Sequence, residues 1–183
     1  NIASLYLQTT NFSSAIEYYN SGMEYSGENA VSKILNLRGL GDVYSNLSNY
    51  SKSLNYYEEA KELAKQIKDI TTESSIDVSL GTLYYNINKP IKALQVFLDT
   101  KNGIDLESDP YLAEDIYFKI GLAYSAIDSL DKSNQALAHS LSLAESLNDV
   151  YYKTIIKTEL GHNYILQRDF SKAEAVITSA MQL

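Results

Sequence analysis

The sequence predicts an all-α protein, an α-solenoid of about five helix pairs stacked side by side. Three observations lead to this prediction. A short pattern containing glycine and tyrosine recurs every 40 residues. A second pattern of small and bulky residues at helical spacing follows each copy of the first. The composition, with 45% hydrophobic and 21% charged residues, is typical of a globular chain and not of a disordered one.

The first helix of each copy carries the glycine pattern. It reads LGDVY at 40–44, LGTLY at 80–84, IGLAY at 120–124 and LGHNY at 160–164, and IASLY at 2–6 fits the same frame with alanine for glycine. The leucine or isoleucine, the glycine and the tyrosine fall on one helix face. A glycine inside a helix costs up to about 1 kcal/mol. Its recurrence at one site therefore predicts that a neighbouring helix packs closely against it.

The turn after each first helix offers an N-cap for the second helix. The residues at this position are Asn11, Asn49, Lys89, Ser129 and Asp169. Except for the lysine, their side-chain oxygens can accept hydrogen bonds from the free amides that open a helix. In the third copy Pro90 follows the cap, and proline suits the first helical turn because its missing N–H has no intrahelical partner there.

The second helix shows a small residue, a bulky residue four positions later, and usually another small residue three after that. The small and bulky residues of the first two positions are Ala15 and Tyr19, Ser53 and Tyr57, Ala93 and Phe97, Ser133 and Leu137, Ala173 and Ile177. A small side chain lets two helix backbones approach, and the bulky one fills the remaining space. One helix pair cannot bury such a face alone, whereas stacked neighbours can.

The segment 98–115 departs from the pattern. Its Gly103 and Pro110 interrupt the second helix of the third copy earlier than in the other copies. We expect a longer loop here, and the alternatives of an acidic contact loop or a local change in curvature stay open.

The succession Leu-Gly-x-x-Tyr and Ala-x-x-x-Phe-x-x-Ala resembles the tetratricopeptide repeat family over all 183 residues. The period of 40 is longer than the family's usual value of about 34, and this length is similar to that of the elongated repeats of regulatory members. The resemblance implies a right-handed superhelix, formed here by a single array over 1–183. The copies are expected at about 1–27, 28–68, 69–108, 109–148 and 149–183.

The resemblance also implies a concave groove, lined by the first helices, that binds a protein or a peptide. The groove positions that match by register are Arg38, Asp42, Asn46, Thr82, Tyr85, Asn86, Phe118, Leu122, Ser125, Thr158, His162 and Ile165. These positions change from polar in the second copy to more apolar in the fourth and fifth. Such a gradient would suit an extended or helical peptide with one polar and one apolar half.

Charge and composition argue against several other kinds of partner and against cysteine chemistry. The net charge of −8 argues against nucleic acid, because phosphate binding needs a basic surface. No apolar run approaches the roughly 20 residues that span a bilayer. The chain has no cysteine, which excludes disulfides and thiolate chemistry. A chain without cysteine fits a reducing cytoplasm, and a periplasm tolerates it equally.

The sequence offers no catalytic or metal-binding constellation. His139 and His162 are the only histidines, and they lie in different helix types of adjacent copies. The sequence lacks a Gly-x-Ser-x-Gly elbow, a His-Glu-x-x-His motif and a phosphate-binding Gly-x-x-x-x-Gly-Lys loop. We therefore predict a non-catalytic protein without cofactor or metal.

Three functions fit these observations. The first is a protein- or peptide-binding module. The second is a sensory or regulatory segment of a bacterial signalling protein, such as a histidine kinase, nucleotide cyclase or transcription regulator, whose output domain lies outside this sequence; the start at Asn1, without methionine and already in helical pattern, leads us to expect a longer parent chain. The third is a self-assembling scaffold, with a homodimer formed through an uncapped terminal repeat.

Overall fold

A computed structural model describes residues 2–182, and every regular element in this range is an α-helix. The helices are α1 (Ile2–Gln8), α2 (Phe12–Tyr25), α3 (Ala30–Asn46), α4 (Tyr50–Gln66), α5 (Ile70–Asn86), α6 (Pro90–Gly103), α7 (Pro110–Ala126), α8 (Leu130–Ser146), α9 (Val150–Leu166) and α10 (Phe170–Met181). Odd-numbered helices carry the glycine pattern or its alanine variant, and even-numbered helices carry the pattern of small and bulky residues. The predicted all-α class and the order of its elements are confirmed.

The chain forms two compact units, one up to Ile87 and the other from Asn88. In the first unit each helix from α1 to α4 packs on the next one along the chain, and α3 also contacts both α1 and α5. In the second unit α6 to α10 pack in the same order, and α7 also contacts α9. Within each unit, therefore, helix pairs lie side by side and neighbouring first helices touch.

The recurring glycines lie where a second helix crosses closely. A methyl group added at Gly41 would approach the ring of Tyr57 to 2.5 Å, and at Gly121 it would approach Leu137 to 2.7 Å. Both distances are far shorter than van der Waals contact. The small residues strengthen the same crossing, because the hydroxyl of Ser53 donates a hydrogen bond of 2.8 Å to the Gly41 carbonyl. The predicted close packing at the glycines is confirmed at these sites.

Most of the predicted caps form, and a second set appears. Asn11, Asn49 and Asp169 accept bonds from the backbone amides of Ser14, Lys52 and Lys172. Ser129 occupies the N-cap position, but its side chain makes no capping bond. The first helices have their own caps, 40 residues apart, which the sequence analysis missed: Asn29, Asp69, Asp109 and Asp149. Their regular spacing in the sequence was the signal that could have identified them.

In most of the helices the second residue after the helix end has a left-handed backbone. Among residues 2–182, seven non-glycine residues have φ between 55° and 61°: Thr10, Ser48, Lys68, Asn88, Asp128, Asn148 and Arg168. After α3, the amide of Ser48 donates to the Ser45 carbonyl at 2.9 Å and the amide of Asn49 donates to the Tyr44 carbonyl at 2.8 Å. These bonds satisfy carbonyls that the helix leaves without partners.

The segment between α6 and α7 is irregular, as predicted. The helix α6 has 14 residues and ends at Gly103, whereas α4 and α8 have 17. Pro110 then opens α7 in its first turn, preceded by Asp109, whose side chain accepts a bond from the Leu112 amide at 3.0 Å. Gly103 is therefore the last residue of α6, and Pro110 is the first residue of α7.

Each unit buries its own apolar clusters. The largest in the first unit joins α3, α4 and α5 through side chains such as Leu37, Tyr57 and Ile76. In the second unit Leu137 and Ile156 lie in a cluster that joins α7, α8 and α9. These clusters fix the first helices in place and so determine which of their side chains reach the surface.

Candidate functional site

The first unit has an open pocket of about 310 Å³ beside its first helices α1 and α3. Its lining residues come from α1, α2 and α3 and comprise Ser4, Leu7, Gln8, Tyr19, Leu35, Arg38, Gly39 and Asp42. Two of them, Arg38 and Asp42, are among the groove positions predicted from the sequence. The pocket volume is at the lower end of the range of about 300–1,000 Å³ found for ligand sites.

Asp42 is the central polar group of this pocket. The hydroxyl of Tyr57, which reaches in from α4, donates a hydrogen bond of 2.6 Å to its Oδ1. Burial raises the pKa of Asp42 above its ordinary value, and this effect outweighs the Tyr57 hydrogen bond and the charge of Arg38, which both act to lower it. The carboxylate is therefore desolvated without full compensation by its neighbours.

Arg38 lies four residues before Asp42 on the same helix but does not form an ion pair with it. Its Nη1 instead donates a hydrogen bond of 2.7 Å to the hydroxyl of Ser75 on α5. Ion pairs at this spacing are common on helices. The bond to Ser75 ties two neighbouring first helices together and directs part of the guanidinium away from Asp42.

The tyrosines beside Asp42 are held in their neutral form. Burial, followed by the charge of Asp42, raises the pKa of Tyr19 and of Tyr57. Tyr19 is also the side chain that a methyl group at Gly39 would strike. Glycine at this position therefore leaves room for the aromatic wall of the pocket.

The remaining predicted groove positions of the first unit hydrogen-bond to their own helix or lie wholly or partly at the surface. Asn46 is exposed, and its Nδ2 donates to the Asp42 carbonyl at 2.8 Å. The hydroxyl of Thr82 donates to the Val78 carbonyl within α5 at 2.9 Å. Tyr85 is half-buried and Asn86 is exposed. Asn46 and Thr82 thus direct a polar group to their own helix.

In the second unit, two predicted groove positions contribute to the core. Phe118 is only 8% exposed and meets the ring of Tyr152 edge to face, with 5.6 Å between the ring centroids. Leu122 packs against the same apolar cluster of α7, α8 and α9. Truncation of Phe118 would therefore affect stability before it reported on binding.

Ser125 belongs to a polar network at the ends of α7 and α9. Its hydroxyl donates to Oδ1 of Asn163 at 2.8 Å, and Nδ2 of Asn163 donates to the hydroxyl of Ser133 at 2.7 Å and to Oδ1 of Asn134 at 2.9 Å. Asn163 is 1% exposed, whereas the corresponding Ala123 is an apolar core residue. The network therefore satisfies a buried amide where the previous copy has an alanine methyl.

The predicted positions on α9 all reach the surface. Thr158, His162 and Ile165 are exposed, and the hydroxyl of Thr158 donates to the Thr154 carbonyl at 2.9 Å. Within residues 2–182, no group of three or more histidine, aspartate or glutamate side chains is arranged to hold a metal ion. No described helix is both long and apolar enough to cross a membrane.

The pocket residues on α1 and α2, together with Leu35 and Gly39 on α3, were not predicted from the sequence. Ser4, Leu7 and Gln8 lie on α1, whose copy is offset by two residues from the 40-residue frame. Aligning Ala3 with Gly41 would have placed Ser4 at the position of Asp42, so this signal was present. Leu35 and Tyr19 could be assigned only once the helices were packed.

The fold of this chain is similar to that of known helical repeat proteins. The family described as tetratricopeptide repeat matches residues 1–29 and 39–67. No curated protein sequence matches the chain. Among solved structures, a Signal Transduction ATPase with Numerous Domains from Pyrococcus horikoshii, which has a tetratricopeptide repeat sensor, is similar with a TM-score of 0.86 and 22% identity. The match covers 98% of this chain and 28% of that one.

Two further structures have the same helical arrangement. A Rap protein complexed with Competence and Sporulation Factor matches with a TM-score of 0.86 and 15% identity, over 98% of this chain and 51% of the Rap chain. MamA from Desulfovibrio magneticus RS-1 matches with a TM-score of 0.69 and 20% identity, over 100% of this chain and 91% of MamA. At these identities the likeness shows the fold. The chain spans about a quarter of the ATPase and half of the Rap protein.

Proposed function

Because the chain carries tetratricopeptide repeats and has the helical fold of tetratricopeptide repeat proteins, we propose that it is a non-catalytic module that binds a protein or a peptide through its first helices. The observation that carries this proposal is the pocket of about 310 Å³ between α1 and α3. It combines apolar walls with the charged side chains of Arg38 and Asp42, the mixture typical of recognition sites.

The pocket is suited to one side chain of a longer partner. Its volume holds a single large side chain, and the half-exposed Leu35 at its edge offers apolar contact to the adjoining residues of an extended segment. The hydrogen bonds Tyr57–Asp42 and Arg38–Ser75 fix the polar groups before binding. Such preorganisation reduces the entropy that a partner must overcome on binding.

A random peptide library displayed on phage tests the proposal. Selected peptides should bind the protein in fluorescence polarisation, and Leu35→Arg should weaken them at least about tenfold by placing a long charged side chain over the pocket. Leu35 is 46% exposed, so this change leaves the core intact. Tyr25→Arg, at a site 90% exposed on α2, is the matched control and should bind as the unmodified protein does.

Two results would refute the binding function as stated. One is a library that yields no peptide whose binding saturates. The other is a set of saturable peptides that bind the Leu35→Arg protein and the Tyr25→Arg protein equally well, with both variants helical by circular dichroism.

We also propose, as a second candidate, that the chain is the regulatory segment of a signalling protein. The similarity to the Pyrococcus horikoshii ATPase supports it, because the matched part is 28% of a protein with a tetratricopeptide repeat sensor. The sequence of the gene on both sides of this segment is the test. An adjoining kinase, cyclase or DNA-binding domain would support regulation, and a parent protein made of helical repeats alone would exclude it.

A further inference from the structure

The charges in the pocket between α1 and α3 are unequally satisfied. Nη1 of Arg38 donates a hydrogen bond to the hydroxyl of Ser75. The Asp42 carboxylate receives one side-chain hydrogen bond, from Tyr57 to Oδ1, although a carboxylate can accept about four. The ion pairs found among residues 2–182 are Lys61–Asp77, Lys65–Glu62 and Lys172–Asp169, and Asp42 is in none of them. The carboxylate therefore has unused capacity for donors.

The walls of the pocket match an amphipathic side chain. Leu7, Leu35 and the ring of Tyr19 are apolar, and Ser4 and Gln8 add uncharged polar groups. A lysine or arginine side chain has the same division, with an aliphatic stem and a charged tip. Its stem would lie along the apolar side chains while its tip reached the carboxylate.

The charge of the whole chain favours the same class of ligand. The protein has 23 acidic and 15 basic residues and a net charge of −8. Its long-range field therefore attracts cations and repels anions during encounter. An anionic ligand would also have to approach a desolvated carboxylate, which Arg38, with one nitrogen already bonded to Ser75, neutralises only in part.

From this geometry we infer that the pocket receives the ammonium or guanidinium group of a lysine or arginine side chain of a peptide partner, with Asp42 as its acceptor. The inference rests on the proposed function and specifies which partner the site selects. A charge-assisted hydrogen bond to a half-buried carboxylate is stronger than a neutral one.

Binding of a cation should be linked to the ionisation of Asp42. Burial raises the pKa of this group, while Tyr57 and Arg38 act in the opposite direction. A bound cation would lower the pKa, so the complex would hold fewer protons than the free protein. Affinity should therefore increase as the pH rises through the pKa of the free Asp42 and become constant above it.

The test uses peptides selected from a random library of about twelve residues on the unmodified protein. We expect enrichment of lysine or arginine at one position, and replacement of that residue by norleucine in a synthetic peptide should weaken binding about tenfold or more. Asp42→Asn should cause a similar loss, because asparagine keeps an acceptor for the Tyr57 hydroxyl but removes the charge. With this variant the norleucine peptide should bind as well as the lysine peptide.

The variant Arg38→Met should change the affinity for the lysine peptide in the opposite direction. Methionine keeps the apolar stem but removes the cation nearest to the site, so the lysine peptide should bind more tightly than to the unmodified protein. Circular dichroism of each variant shows whether the helices remain.

The outcomes separate this inference from the proposed function. Peptides that bind saturably without a basic residue, and equally well to the unmodified and Asp42→Asn proteins, would overturn the cation site and leave peptide binding intact. Weaker binding of the lysine peptide to Arg38→Met would also overturn it. A library that yields no peptide with saturable binding would overturn both the cation site and the proposed peptide-binding function.

Discussion

Glu114 on α7 gives the stability of this protein a pH dependence that one substitution should remove. The side chain is 1% exposed, and its Oε1 has no hydrogen-bond partner. Burial, then the charges of Asp149 and Asp115, raises its pKa from 4.5 to about 7. The corresponding position 40 residues earlier is Ser74, and 80 residues earlier it is the fully buried Ile34. A carboxyl group therefore occupies a core position of the repeat.

The direction of the effect follows from proton binding. In the unfolded chain Glu114 titrates near its ordinary pKa, so between pH 4.5 and about 7 the folded protein binds more protons than the unfolded one. The free energy of unfolding therefore falls as the pH rises through this interval. For these two pKa values the loss between pH 5 and pH 8 is about 2.5 kcal/mol, an upper estimate because water can enter near an ionised group.

Urea unfolding followed by circular dichroism at several pH values measures this loss. Glu114→Gln is neutral at every pH, so its stability advantage over the unmodified protein should grow by up to about 2.5 kcal/mol between pH 5 and pH 8. Glu145→Gln removes the same charge from an exposed site on α8 and is the control. It should leave the slope of stability against pH almost unchanged.

The reasoning would be refuted if Glu114→Gln and the unmodified protein lost stability in parallel from pH 5 to pH 8. A larger effect of Glu145→Gln than of Glu114→Gln would refute it as well. Glu114→Ile, which restores the residue of an earlier copy, should stabilise most at high pH, because it removes the buried charge and the unpaired oxygen together.

Two further predictions concern glycine and the backbone. Gly41→Ala should destabilise the protein by about 1–3 kcal/mol, because the added methyl would strike the ring of Tyr57, whereas Gly103→Ala, with nothing within 4 Å, should cost little or nothing in the same urea titration. Arg168→Gly should raise the melting temperature, with a gain of up to about 1 kcal/mol, because Arg168 has a φ of 61°. Gly27→Ala, at a φ of 52°, should lower it, and equal shifts of one sign would contradict the argument.

Local and periodic features of the fold were predictable from the sequence. The spacing of apolar residues predicted the helices, and the caps Asn11, Asn49 and Asp169 were identified because a cap acts on amides two or three residues away. Glycine recurring at one position predicted close helix crossings, which Gly41 and Gly121 show. These features depend on neighbours along the chain or on a repeated contact, so the sequence carries their signal directly.

The candidate site was predictable only in part. Register singled out Arg38 and Asp42 on α3, and both line the pocket. The same register position holds Phe118 in the fourth copy and Thr158 in the fifth, yet Phe118 is buried against Tyr152 and Thr158 is exposed. The position of a residue in the repeat therefore specifies the direction in which its side chain leaves the helix. Whether that side chain is exposed depends on the side chains of neighbouring helices that pack against it.

The sequence by itself thus determined helix pairing and the positions of close contact, because both follow from spacing along one chain. Packing alone decided that Arg38 bonds to Ser75 and not to Asp42, and that Glu114 lies buried with an oxygen unpaired. Both outcomes depend on side chains from other helices, 37 residues away in the first case. The choice between hydrogen-bond partners and the lack of a partner for a buried oxygen are properties of the assembled helices.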